Sequence, residues 1–261
     1  MTGRAAIIAI DVLILTRNEE ANIQACLDGA KNLGSFLGEI IIIDDFSSDK
    51  TEEIAVNAGA KVIKRALDNF ADQRNFALEN SLAQWVFFLD ADERLSPSLA
   101  KSVQTLVSKG IVAAGRLKRR SLAFGTRQRF GPLSPDWVTR LFPRSKVKWQ
   151  GLVHERPIFN LPVINLTGCL EHHTYSSWPR YLEKMNTYAL WWAKEACQTG
   201  RSSTPIKALA RGGWAFFKML FGKLGILGGP VTWALCFYYS GYTLSKYLLL
   251  ADLSKTNYRK G

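Results

Sequence analysis

Four groups of side chains in this sequence could do chemistry, and most of them follow an apolar run. The strongest is Asp90-Ala91-Asp92-Glu93, which closes WVFFLD. Two carboxylates one residue apart can share a divalent ion directly or through water. Mg²⁺ and Mn²⁺ favour such hard oxygen donors, and both also bind phosphate oxygens. Asp92 and Asp90 are the expected ligands, with Glu93 assisting through water and His154 a further candidate. The competing reading is a solvated acidic turn. The preceding apolar strand favours a site, because open α/β sheets bind ligands at the carboxyl ends of their strands. In IIIIDDFSSDKT, Asp44 and Asp45 end another strand, where a carboxylate can accept hydrogen bonds from a nucleobase N–H or ribose hydroxyls. Ser47, Ser48 and Asp49 fit a capping turn. In LTRNEE, the residues Thr16, Asn18 and Glu19 could line the same crevice, although Asn18 equally suits an N-cap. In DQRNFAL, Arg74 either faces a pyrophosphate or is a solvated helix arginine.

The elements that must position these groups alternate along the first hundred residues. Residues 6–15 read as a buried strand, 18–34 as a helix, 39–45 as a strand covered on both faces, and 47–60 as a helix with an Asp49/Glu52 capping box. Residues 61–65, 69–80, 85–93 and 96–110 continue as strand, helix, strand and helix, the last opened by Ser96 and Pro97. This order predicts a mostly parallel sheet with helices on both faces. Beyond residue 110 the rhythm changes. Strand patterns at 136–143 and 147–157 have no clear helix between them, and 178–197 is an aromatic-rich amphipathic helix.

Length and charge narrow the possibilities. The chain has 261 residues and a formal charge of +12, enough for one large domain or a domain with an appendage. Four widely spaced cysteines with no CxxC argue against a disulfide scaffold or zinc ribbon. Asp11 interrupts the first apolar run, so a secretory signal is not expected. The charge is uneven: residues 1–100 carry 9 Lys/Arg and 16 Asp/Glu, and residues 101–261 carry 25 and 6. An acidic first part suits cation-assisted chemistry, and a basic remainder suits an anionic partner. Residues 206–225 mix Lys and Arg with Trp, Phe and Leu, and 224–245 carry no charge. Glycines and Pro230 lower the hydropathy of that run. An interfacial or re-entrant membrane contact is expected, with a true span or soluble packing as alternatives.

The segments LILTRNEEANI, IIIDDFSSDKT, DQRNFAL and WVFFLDADERLSP resemble the inverting family-two glycosyltransferases of GT-A fold. PDWVTRLF, GLVHE, LEHHTYSSWPRYLEKMNTYA and AFFKMLFGKLG resemble the lipopolysaccharide core-biosynthesis members, including β-1,4-glucosyltransferases. The likeness runs from about residue 10 to 250. It implies a GT-A domain over 1–175, with a nucleotide-sugar half to 110 and an acceptor half from 111. A helical, basic-aromatic, membrane-associating region over 176–261 follows. It also implies transfer from UDP-glucose or another UDP-hexose to an inner-core heptose, with inversion and with Mg²⁺ or Mn²⁺ at the Asp92 site. Asp44, matching the shared acid, is favoured over Asp45 for the nucleotide. Arg74 and Asp90 complete the donor set.

The acceptor hydroxyl then needs a general base. Glu155 is the leading candidate and Asp136 its rival, unless Asp136 is paired with Arg140. His172 and His173 read as structural or acceptor-binding. The acceptor implied is an anionic glycolipid at the cytoplasmic leaflet of a bacterial inner membrane. Arg119, Arg120, Arg127 and Arg129 could meet its phosphates, and Lys218 and Trp214 the lipid surface. A polyprenyl-linked or capsule precursor is the alternative acceptor. A basic nucleic-acid-binding protein is a distant one, for which no recognition motif is present, and no nucleic-acid partner is expected.

Overall fold

The computed structural model describes residues 9–151 and 155–258. The expected strand start at 6–8, and His154 with its two preceding neighbours, lie outside the described residues. Elements run in the order β1 (Ile10–Thr16), α1 (Ile23–Ala30), β2 (Leu37–Asp44), α2 (Thr51–Asn57), β3 (Lys61–Lys64), α3 (Phe70–Glu79), β4 (Trp85–Asp90), β5 (Glu93–Leu95) and α4 (Pro97–Ser108). They continue with β6 (Ala114–Ala123), β7 (Thr126–Arg127), β8 (Asp136–Pro143), β9 (Lys148–Gln150), β10 (Arg156–Ile158) and β11 (Val163–Tyr175). Three helices follow: α5 (Trp178–Gln198), α6 (Pro205–Phe217) and α7 (Gly229–Tyr258). The chain divides into two compact units, residues 1–119 with 136–172, and residues 120–135 with 173–261.

The main sheet has the strand order β3-β2-β1-β4-β8-β6-β11-β5. The β3, β2, β1 and β4 neighbours are parallel. The β4–β8, β8–β6 and β11–β5 pairs are antiparallel. The sheet is therefore mixed, and the expectation of a mostly parallel sheet holds only for its first half. No α-helix separates β6 from β8, only a short 3₁₀ turn at Gly131–Leu133, so those strands return by a connection too short for parallel pairing.

The uninterrupted Ile40–Ile43 run is buried because both faces are covered. Ile40 and Ile42 join Val12, Ile14 and Phe87 against α1 and α4. Ile41 and Ile43 join Leu13 and Phe88 against α3. Asp11, the acid inside the first apolar run, is also buried and fully engaged. It accepts from the Glu39 N–H at 2.8 Å, the Ser81 hydroxyl at 2.7 Å and the Ala83 N–H at 3.2 Å. Such satisfaction removes the cost of an orphaned buried acid.

Two helix starts differ from the sequence reading. The first helix begins at Ile23, not at residue 18, because Asn18 takes a left-handed φ of +54° and opens a turn. The capping box of α2 is incomplete. Asp49 accepts from the Thr51 N–H at 3.0 Å, but Glu52 reaches Lys64 at 2.7 Å instead of capping its own helix. By contrast Ser96 caps α4, accepting from the Leu99 N–H, with Pro97 next to it.

In the second unit, α6 continues through a π-helical turn over Lys218–Gly222 and a short 3₁₀ turn before α7. The axes on either side are bent by 65°. Among the described residues no single helix is long and apolar enough to cross a membrane; the bent pair Pro205–Gly222 and Gly225–Lys255 passes together by length and composition.

Candidate active site

Parallel register aligns three strand ends on one rim of the first unit. Thr16 stands opposite Asp44, and Leu15 opposite Asp90. The turn after β4 then carries Asp92, and β5 brings Glu93 beside His172 of β11.

The acids at this rim divide into two kinds. Asp90 and Glu93 are neutralised by buried arginines. Arg140, on β8, donates to Asp90 Oδ2 at 2.5 Å and to Glu93 Oε1 at 2.9 Å. Arg74, on α3, donates to Asp90 Oδ1 at 2.9 Å. Arg119 approaches Glu93 at 3.4 Å and grips Asp136 through Nε and Nη2 at 3.1 and 2.8 Å. Asp92, half-buried like Asp90, has no arginine partner among the described residues; one of its oxygens lies 3.2 Å from His172 Nε2.

Several expectations are revised by this geometry. Glu93 is fully buried and committed to arginines, so it is not placed to help a metal through water. Asp90 is held by two arginines and is still partly exposed. Arg74 is not a solvated helix arginine. It is buried over the Trp149 ring at 4.7 Å, and α3 is fixed there by paired Asn75–Trp149 hydrogen bonds of 2.9 and 2.8 Å. Asp136 pairs with Arg119 and not with Arg140, which also withdraws Arg119 from the set facing acceptor phosphates. Glu155 lies 3.6 Å from Arg74 and is about one-fifth exposed. Arg120, Arg127 and Arg129, with Lys218 and Trp214, are exposed and belong to the second unit.

Asp44 and Asp45 also differ in their surroundings. Asp44 is fully buried and spent on local structure, accepting from the Thr16 hydroxyl at 2.8 Å and from the Ser47 N–H at 2.8 Å and hydroxyl at 2.5 Å. Asp45, not Asp44, lines a cavity of about 230 Å³ with Thr16, Arg17, Glu19, Leu67 and Phe70. It is held there by Arg17 at 2.6 Å and the Leu67 N–H at 3.0 Å. Asn18 does not cap a helix; its side-chain oxygen accepts from the Ser48 N–H at 2.8 Å, tying the first rim loop to the second.

The model of the family described as glycosyl transferase family 2 matches residues 11–157, which include the acids and arginines of this rim but not His172. The chain belongs to glycosyl transferase family 2. This glycosyltransferase is 28% identical over 233 residues to an uncharacterized glycosyltransferase of Rickettsia bellii, covering 81% of this chain and 76% of that one. It is 26% identical over 205 residues to the lipopolysaccharide core biosynthesis glycosyltransferase LpsC of Rhizobium meliloti, covering 74% and 73%. Among solved structures it is similar to glucosyl-3-phosphoglycerate synthase of Mycobacterium tuberculosis in complex with Mn²⁺, UDP and glucosyl-3-phosphoglycerate. That similarity is 22% identity at a TM-score of 0.38 over 44% of each chain. This glycosyltransferase spans less than half of that protein.

Electrostatics at the glycosyltransferase rim follow from burial and pairing. Burial alone would raise the Asp90 carboxyl, but the Arg140 and Arg74 guanidiniums outweigh it and hold it well below the ordinary range. At Glu93 burial wins. Desolvation raises its carboxyl despite Arg140, and the Asp90 charge adds to the rise. Burial lowers Arg140, yet Asp90 and Glu93 together hold it above its ordinary value. The residues at Asp92 fit a divalent ion. Among the described residues no three-ligand cluster exists, but Mg²⁺ and Mn²⁺ commonly use one or two protein ligands with water and substrate phosphates. Asp92 would supply the hard oxygen that suits either ion, and His172 stands beside it at 3.2 Å.

Sequence reasoning named Arg140 only as a partner of Asp136 and His172 only as structural or acceptor-binding, and so missed their contacts with Asp90, Glu93 and Asp92. Arg140 had a signal, since an arginine between apolar strand residues in VTRLF must find acids when buried. His172 had none beyond its neighbour His173, because only strand pairing brings it to Asp92.

Proposed function

We propose that this glycosyltransferase moves a hexose, glucose by resemblance, from a UDP-sugar to an anionic lipopolysaccharide inner-core acceptor with inversion. The observation that carries the reading is Asp92. It is the acid of its motif that the buried arginines leave at the rim, on the same strand-end edge as the Asp45 cavity. That cavity suits a nucleoside, with Asp45 and Thr16 offering hydrogen bonds and Leu67 and Phe70 apolar surface. A divalent ion held by Asp92 and His172 would neutralise the leaving diphosphate.

The remaining steps belong to the chain itself. The acceptor oxygen attacks the anomeric carbon as the bond to the diphosphate breaks, and its proton passes to Glu155. Arg74 lies 3.6 Å from that carboxylate and links it to Asp90, and so to the end of β4. The acceptor is read as membrane-embedded at the cytoplasmic leaflet, which the basic composition of the second unit supports.

Thermal denaturation with UDP and UDP-hexoses, with and without Mn²⁺, tests the donor half. A ligand at a hundredfold excess over Kd stabilises by about 2.7 kcal/mol, or a midpoint rise of about 5 °C or more for a chain of this size. The rise is expected with Mn²⁺ and UDP in the wild type and lost in Asp92→Ala. An equal, metal-independent rise in both proteins would contradict the Asp92 assignment.

A further inference from the structure

We propose that the second unit docks on an anionic lipid bilayer through the outer face of α6 and the turn that follows it, lying in the interface and not crossing it. The inference deepens the acceptor reading above but is separable from it, because lipid binding is measured with no sugar nucleotide present.

The argument begins with a helix that is apolar on two sides. At about 100° per residue, Ala208, Gly212, Ala215 and Met219 share one face, and all are buried. Small residues there allow close approach to α7. The Ser240 hydroxyl donates to the Gly212 carbonyl at 2.8 Å, and a Cβ on Gly212 would lie 3.1 Å from Leu244 Cβ. This inner face holds the helix in the fold.

The opposite face does no such work. It presents Ile206, Leu209, Trp214, Phe217 and Phe221, each between 52% and 80% exposed. Leu224, Ile226 and Leu227 extend the surface around the turn, again exposed. So many large side chains in one exposed stripe exceed the scattered apolar residues normal on a soluble surface.

Charge identifies the occupant. Lys207, Arg211 and Lys218 fall along one edge of the stripe and are exposed, and Lys223 follows in the turn. No Asp or Glu occurs between Glu195 and Asp252. A basic edge beside an aromatic face suits an interfacial helix on anionic lipid, with lysines at the headgroups and rings at the acyl boundary. A second copy of the chain would bring the same cations against one another, which disfavours self-association. The 65° bend after Gly222 and the glycine-rich turn place no straight apolar rod long enough to span.

The test uses the full chain and sucrose-loaded vesicles of phosphatidylcholine with or without phosphatidylglycerol. Binding is expected with phosphatidylglycerol, weakened by salt and released by alkaline carbonate. Leu209→Ser/Phe217→Ser/Phe221→Ser and, separately, Lys207→Glu/Lys218→Glu should each lower the partition coefficient by about tenfold or more. Circular dichroism and light scattering confirm that both variants are folded and report oligomeric state. Equal binding to neutral vesicles, or no loss in either variant, would overturn the proposal. So would retention after carbonate, which indicates a span, or a dimer abolished by the serine variant, which indicates a second copy.

Discussion

Arg140→Met should cost this glycosyltransferase a large part of its stability, by an amount that depends on pH. The guanidinium is 7% exposed and serves two acids, Asp90 at 2.5 Å and Glu93 at 2.9 Å. Met keeps the apolar stem and removes the charge. Asp90 retains Arg74 at 2.9 Å while Glu93 retains only the longer Arg119 contact at 3.4 Å, so the loss falls mainly on Glu93, whose carboxylate has no exposure at all. Breaking a buried pair by removing one partner costs about 3–5 kcal/mol. The pH dependence has a definite sign. Glu93 in the wild type already lies above its ordinary value because of burial, and losing Arg140 raises it further. A carboxyl that binds its proton more tightly when folded stabilises less as pH climbs from the unfolded value, about 4.3, towards the folded one, by up to about 1.4 kcal/mol per pH unit. The deficit of the variant should therefore be clearly smaller at pH 5 than at pH 8. Urea unfolding at both pH values reads it from the midpoints, provided the slopes agree. Adding Glu93→Gln should return much of the loss at pH 8. A deficit below about 1 kcal/mol, or one equal at both pH values, would refute the view that Arg140 is there to neutralise these acids.

Three further outcomes follow from named contacts. Glu155→Gln should keep UDP binding and lower kcat by a factor of about 100 or more, the scale of a lost general base, whereas Asp136→Asn, already paired with Arg119, should lower it far less; the reverse ranking in a transfer assay would move the base to Asp136. Asp45→Asn should weaken UDP affinity by calorimetry with little change in melting temperature, while Asp44→Asn should destabilise by about 1–3 kcal/mol through its buried hydrogen bonds. Gly168→Ala should unfold the first unit or sharply lower its melting temperature. At φ +93° a Cβ there would stand 2.4 Å from the Leu99 nitrogen, and near-wild-type stability would show that the β11–α4 approach is looser than described.

The legible part of the sequence was the half whose strands are buried on both faces. IIIID and WVFFLD could be read because double burial leaves no polar alternation, and their ends carried Asp44, Asp45, Asp90 and Asp92 to one rim. What stayed hidden was partnership. The spacing of DADE says that Asp90 and Asp92 differ by one residue, which in a strand suggests a shared face. It does not say that the chain turns after Asp90, or that arginines from α3 and β8 claim one carboxylate and leave the other. The antiparallel half was less legible for a related reason. Strands such as RLKRRSLA mix charge and apolar residues, and which charges turn inward depends on pairing with β8 and β11. Asn18 was ambiguous because a left-handed turn and an N-cap use the same short polar side chain.

The arginine on β8 also bears on how such an enzyme can be recombined. The ends of β4 and β5 carry two acids that need cations supplied from elsewhere in the sequence, one of them from the segment that pairs antiparallel to β4. A graft exchanging residues 111–157 for those of a relative with another acceptor is thus an exchange of counter-ions as well as of specificity. If the incoming strand lacks a basic residue at the Arg140 register, the recipient inherits an unneutralised interior and should fail as a fold before its selectivity can be judged. Keeping that arginine with its two acids as one inherited unit is the condition for swapping everything around it.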